Sequence, residues 1–299
     1  MFAIIPLYEK IKYSEMMIML AFLKSEGTPQ GAYSWQHLTF VGALMVVMVL
    51  SAVLLGKYFK KKGYEAKNKV LIWTAFLIDG IEIFKMVLYC ILYSSFEPIK
   101  QLLPLFLCSI QLIAIPVAAF SKGKLKNAAL DFVCIFGIIG ALAGTFGAAQ
   151  IYDAHPVISF HNIHSGLTHG LAGFASLYIF FSGMASMRKE NISVCLCILT
   201  SFCIVAYIAC ITLDYNYMFL LRGDGTPYDI FYNLVGGHPF FYPVLVVALF
   251  YVYAFVFYGI YFAIKNASRK VVLKEVKEST VEEVVEVADA ASANEEETL

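Results

Sequence analysis

A chain of 299 residues could form one large soluble domain or two small ones, but 60% hydrophobic against 15% charged residues is far from the roughly 45–50% and 25% of soluble domains. Twenty-five Phe, nineteen Tyr and a mean hydropathy of +0.73 point instead to a polytopic membrane protein, in which lipid takes part of the apolar surface. The zero net charge hides an asymmetry: residues 271–299 hold nine acids and two lysines, so the body is +7 and the tail −7, and basic residues scattered between apolar segments exclude a nucleic-acid-binding face.

In chain order, residues 1–34 read as an extracytoplasmic N-terminal segment. Its apolar stretch Met16–Leu23 is short and lacks the basic start and small-residue cleavage site of a signal peptide. An interfacial helix is predicted there. Residues 35–266 form the membrane domain. Seven apolar segments, near 36–57, 70–94, 101–120, 128–149, 158–186, 193–213 and 240–264, have the roughly 20 residues a helix needs to cross about 30 Å of hydrocarbon. Their uninterrupted apolar runs exclude barrel strands, which alternate. Residues 267–299 are an acidic tail, expected to be a solvated cytoplasmic appendage.

The loops set the direction. Fourteen Lys and Arg, from Lys57 through Lys270, fall in alternate connections and after the last span, whereas the opposite loops hold only Lys100 and Arg222. By the positive-inside rule the N-terminus lies outside and the C-terminus in the cytoplasm. The expected fold is an all-α bundle of seven transmembrane helices, multi-pass in the cell membrane.

Ionisable groups within such spans are costly and require a reason. The second predicted span carries Asp79, Glu82 and Lys85, and the fifth carries His161, His164 and His169. Glu82 can pair with Lys85 one turn on, or Asp79 or Glu82 can orient a histidine of the fifth span. His161, His164, Ser165, Thr168 and His169 share one broad helical face. Cys108 sits about one turn into the third predicted span, behind Pro104, where the helix dipole suits an anionic nucleophile. At 1.5 Å per residue it lies roughly 10 Å below the outer surface, at a depth His169 also reaches. A thiol beside an imidazole is the minimal activated nucleophile, and the bland alternative is a buried packing thiol. The seven cysteines all fall inside predicted spans and show no CxxC spacing, which argues against a disulfide framework or a zinc site. The three histidines do not converge on one atom, so neither a metal nor a cofactor is expected.

Trp35-Gln36-His37, Leu103-Pro104-Leu105-Phe106-Leu107-Cys108-Ser109, the histidine run ending His169-Gly170 and Asn216-Tyr217-Met218-Phe219-Leu220 occur in that order. Together they resemble the YwaF-like family of integral membrane proteins, over most of Trp35–Lys265. Vertebrate relatives of that family are described as cysteine-dependent intramembrane phospholipid acyltransferases. The resemblance implies Cys108 as acyl-accepting nucleophile and His169 as its base, with the Asn216-Tyr217 turn nearby. His161 and His164 stand as alternative bases.

The leading expectation is an acyltransferase or lipid-processing enzyme that takes membrane lipids, with a phospholipid ester of the outer leaflet as substrate. Asn216, Tyr217 and Ser109 are candidate oxyanion donors. The alternative is a proton-coupled small-molecule transporter using Asp79, Glu82 and the histidines of the fifth helix. A retinal-type receptor is disfavoured, since 240–264 contains no Lys for a Schiff base.

Overall fold

The computed structural model describes the backbone of residues 7–185 and 187–296, and the side chains of 15–185 and 187–270. Eleven α-helices follow one another among these residues: α1 (Leu7–Leu23), α2 (Trp35–Lys60), α3 (Tyr64–Tyr93), α4 (Glu97–Leu102), α5 (Gln111–Phe120), α6 (Gly123–Thr145), α7 (Ala149–Ala154), α8 (Phe160–Phe181), α9 (Lys189–Leu213), α10 (Asp229–Leu234) and α11 (Phe241–Glu296). A single 3-10 turn, Tyr217–Phe219, follows α9. No described residue is in a strand. The chain divides into two compact units, Met1–Tyr251 and Val252–Leu299.

Local chemistry sets several helix ends. Ser34 caps α2 by accepting the His37 N–H at 3.3 Å, and Lys57 and Lys60 in its last turn suit the negative end of the dipole. Ser159 caps α8 in the same way through the Asn162 N–H. Left-handed Ser94 and Asp214 end α3 and α9, returning their amides to carbonyls of the last turn.

Helix α6 is the centre of the first unit, in contact with α5, α8 and α9. Residues 128–137 are buried without interruption. Small residues let α6 and α8 approach closely: a Cβ on Gly137 would stand 2.8 Å from the Ala172 carbonyl oxygen, and one on Gly173 would stand 2.8 Å from Ala141 Cβ. Ser176 Oγ then donates to the Cys134 carbonyl at 2.7 Å, satisfying a buried hydroxyl.

Among the described residues four stretches are long and apolar enough to cross a membrane: Trp35–Lys60, Gly123–Ala154, Lys189–Leu213 and Phe241–Lys270. Helices α3 and α8 match the second and fifth predicted segments, but carry the charged residues and the histidines respectively. The third predicted segment is broken. Its helical parts are α4 and the ten-residue α5, joined by a non-helical Leu103–Ile110 stretch. Cys108 therefore lies just ahead of the α5 N-terminus, not one turn inside a helix. The reason is local: Leu103 has an extended backbone, as a residue before proline prefers, and the Ser109 side chain binds the loop backbone instead of continuing a helix.

The N-terminal segment is attached to the bundle. Ser25 Oγ accepts the His161 N–H at 2.9 Å, Gln30 Oε1 accepts the Val157 N–H at 2.8 Å, and Asp153 Oδ1 accepts the Ala32 N–H at 2.7 Å. At the other end the α11 backbone stays helical to Glu296. The expected solvation of the acidic side chains beyond Lys270 lies outside the described residues.

Candidate functional site

The Cys108 loop is held from both sides. Within it, Ser109 Oγ accepts the Phe106 N–H at 3.0 Å and donates to the Phe106 carbonyl at 3.2 Å. The Ile110 N–H closes the turn on the same carbonyl at 3.0 Å. Outside it, the Phe106 ring packs edge-on against Tyr215, Tyr217 and Phe219, with centroids 5.6–6.4 Å apart. That aromatic wall is itself anchored. Asn216 donates to the Arg222 carbonyl and to Asp224 Oδ2 and accepts the Leu221 N–H. The Tyr217 hydroxyl donates to the Lys100 carbonyl at 2.7 Å. Left-handed φ values at Asp214, Met218 and Phe219 are sustained by these bonds.

Cys108 and His169 line one cavity of about 70 Å³, with Ile78 and Glu82 from α3, Ser109, Leu112 from α5, and Thr168. Cys108 is a free thiol, and no hydrogen bond joins it to the imidazole among the described residues.

Helix α6 makes room for both groups. A Cβ on Gly144 would lie 2.1 Å from His169 Cε1 and 2.3 Å from Nε2, so the imidazole rests against bare backbone. One turn earlier, a Cβ on Gly140 would come within 3.3 Å of Cys108 Cα. Neither glycine features in the sequence-based expectations. The signal was present as Gly140-x-x-x-Gly144, the small-residue spacing that lets other groups approach a membrane helix.

The three α8 histidines separate in space. His169 alone of them reaches the Cys108 cavity. His164 is buried and pinned to α3, its Nε2 3.2 Å from the Ile81 carbonyl and 3.4 Å from Glu82 Oε2. Its Nδ1 has no hydrogen-bond partner among the described residues. The His161 ring stacks on His155 with centroids 5.1 Å apart. Glu82 thus faces the cavity while contacting His164, and Lys85 is buried with its ammonium 5.4 Å above the Tyr89 ring. Asp79 is half-buried and does not line the cavity. Asn216 and Tyr217 also lie outside its lining, and the Ser109 hydroxyl is engaged by its own loop. These three buttress the site.

His37 is fully buried away from the cavity. Its Nδ1 accepts the Tyr33 N–H at 2.9 Å, which leaves Nε2 to donate to the Thr145 carbonyl at 3.2 Å. The ring also stacks on Tyr152 at 3.8 Å. It fixes the end of α6 next to Gly144. Among the described residues, no three His, Cys, Asp or Glu side chains group as metal ligands.

Residues 32–261 match the model of the TMEM164 family. No curated protein and no solved structure matches the chain. With most of its length matched, the chain belongs to the TMEM164 family, a family of membrane proteins.

Proposed function

We propose that this member of the TMEM164 family transfers acyl groups between membrane lipids through Cys108. The observation that carries this reading is the shared cavity, in which a cysteine and a histidine from separate elements face the same small space. His169 would take the thiol proton as sulfur attacks the carbonyl of a phospholipid ester, then return it to the departing alcohol oxygen. A C–S bond forms and the ester C–O bond breaks. A second lipid hydroxyl attacks the thioester in turn, giving its proton to His169, which restores the thiol. In this reading the oxyanion takes its donors from the backbone amides of the Cys108 loop, because Asn216, Tyr217 and the Ser109 hydroxyl are engaged elsewhere.

The topology that goes with this reading is seven spans in the cell membrane, with the N-terminus outside. The fourteen-to-two distribution of basic residues supports it. It sets the cavity toward the outer leaflet. The relation to the YwaF-like family is part of the same proposal and rests on the ordered motifs.

A proton-coupled transporter is the second reading, favoured by the Glu82–His164 contact beside the cavity. Lipid acyl exchange in proteoliposomes separates the two. Cys108→Ser should abolish exchange at normal expression if the thiol is the nucleophile. Exchange that survives Cys108→Ser would overturn the acyl-transfer reading.

A further inference from the structure

A second cavity, of about 450 Å³, lies between α9 and the first turns of α11, within the size range of small-molecule sites. Its walls are carbon: Cys203, Ile204 and Ile208 from α9, Leu220 beyond the 3-10 turn, and Val244 and Val247 from α11. The polar atoms at its margins are already paired. At one end the Tyr207 hydroxyl donates to the Pro239 carbonyl at 3.2 Å. At the other the Tyr251 hydroxyl bonds Thr200, whose own hydrogen goes to the Leu196 carbonyl. Nothing polar is left to greet a headgroup.

These two bridges tie α9 to the facing segment and stop the slot at both ends. From Thr200 to Ile208 it runs about 12 Å, at 1.5 Å per residue. Both flanking helices belong to stretches apolar and long enough to cross a membrane, and Ile204, Ile208, Phe240 and Val244 at its lips are all about half exposed or more. The medium outside the slot is therefore hydrocarbon. A transmembrane helix is about 10–12 Å across and continuous over some 30 Å, so it needs an open-ended groove. A slot about 12 Å long, bridged at both ends and open along its side, suits one flexible chain.

We propose that this slot binds a single hydrocarbon chain of a membrane lipid. The proposal requires the membrane location but not the acyl-transfer reading. It is tested on the full chain in phosphatidylcholine nanodiscs, with a phospholipid carrying a photoreactive diazirine in one acyl chain. Labelled peptides should concentrate at 200–208 and 239–251. Ala248→Phe, which fills the slot, should cut that labelling about tenfold, equivalent to ~1.4 kcal/mol of affinity. Val205→Phe changes an exposed side chain outside the lining and should leave it unchanged. Labelling spread evenly around the bundle, or indifferent to Ala248→Phe, would overturn the proposal, as would disulfide capture of a second copy by Ala248→Cys. Should Ala248→Phe fail to fold, the native chain gives the answer. Alkylation of Cys203 by an apolar maleimide in detergent should slow when a single-chain lipid is added, and unchanged alkylation would contradict chain binding.

Discussion

At the scale of single residues, the site depends on what surrounds Cys108 and His169 rather than on contact between them. His169→Gln keeps a polar side chain but removes the base, and should lower acyl exchange by about 10²–10⁴, the usual contribution of general acid–base catalysis. A smaller loss would mean that another group takes the proton. Gly144→Ala is a subtler change. One methyl group placed 2.1 Å from the imidazole must push His169 aside, and overpacking of this kind costs about 1–3 kcal/mol. Exchange should fall while the helical circular dichroism signal is retained, and normal activity in Gly144→Ala would show that the ring position is not critical. Cys108 and His169 were legible as sequence because both are unusual residues at one predicted depth. Gly144 was not, since its role appears only once the imidazole is seen against its backbone. The divergence of His161, His164 and His169 was equally hidden: helical spacing places them on one broad face, but only the packing of α3 and the N-terminal segment assigns each a partner.

Among the elements, the broken third segment is the most instructive. Hydropathy reads residues 101–120 as one span because its side chains are mostly apolar and none is charged. Hydropathy does not register that Pro104 and Ser109 redirect the backbone, nor that Phe106 has an aromatic wall to pack against. The wall should behave as a support for the loop. Asn216→Ala removes three hydrogen bonds from the turn behind it. The groups left unpaired should cost about 1–3 kcal/mol, and the loop should loosen with them. Thermal unfolding of purified protein should shift downward, and acyl exchange should fall further than in Ser51→Ala, which alters an exposed face of α2. Equal exchange in the two variants would detach the turn from the site. Helices α2 and α9 agree with their sequence signals more closely, because long apolar runs bounded by Lys, Ser and Asp leave little room for another reading, whereas the short α7 and α10 carry no such run.

The whole molecule should have a fixed direction in the membrane and a dispensable C-terminal end. Cysteines introduced at Lys60, Lys61 or Lys62 should resist impermeant maleimides in intact cells, and labelling from outside would reverse the topology. Truncation after Lys270 removes nine of the acids and no residue of the cavity. The shortened protein should remain in the membrane fraction with its exchange activity intact, and its loss from that fraction would give the acidic segment a structural role. Acyl transfer of this kind is covalent, with Cys108 carrying the acyl group as a thioester. Intact-mass analysis of the purified protein after incubation with phospholipid tests it most directly. One acyl adduct is expected, removed by neutral hydroxylamine and missing from Cys108→Ala, whereas an unmodified wild-type mass, or an adduct that persists in Cys108→Ala, would rule out a thioester at this residue.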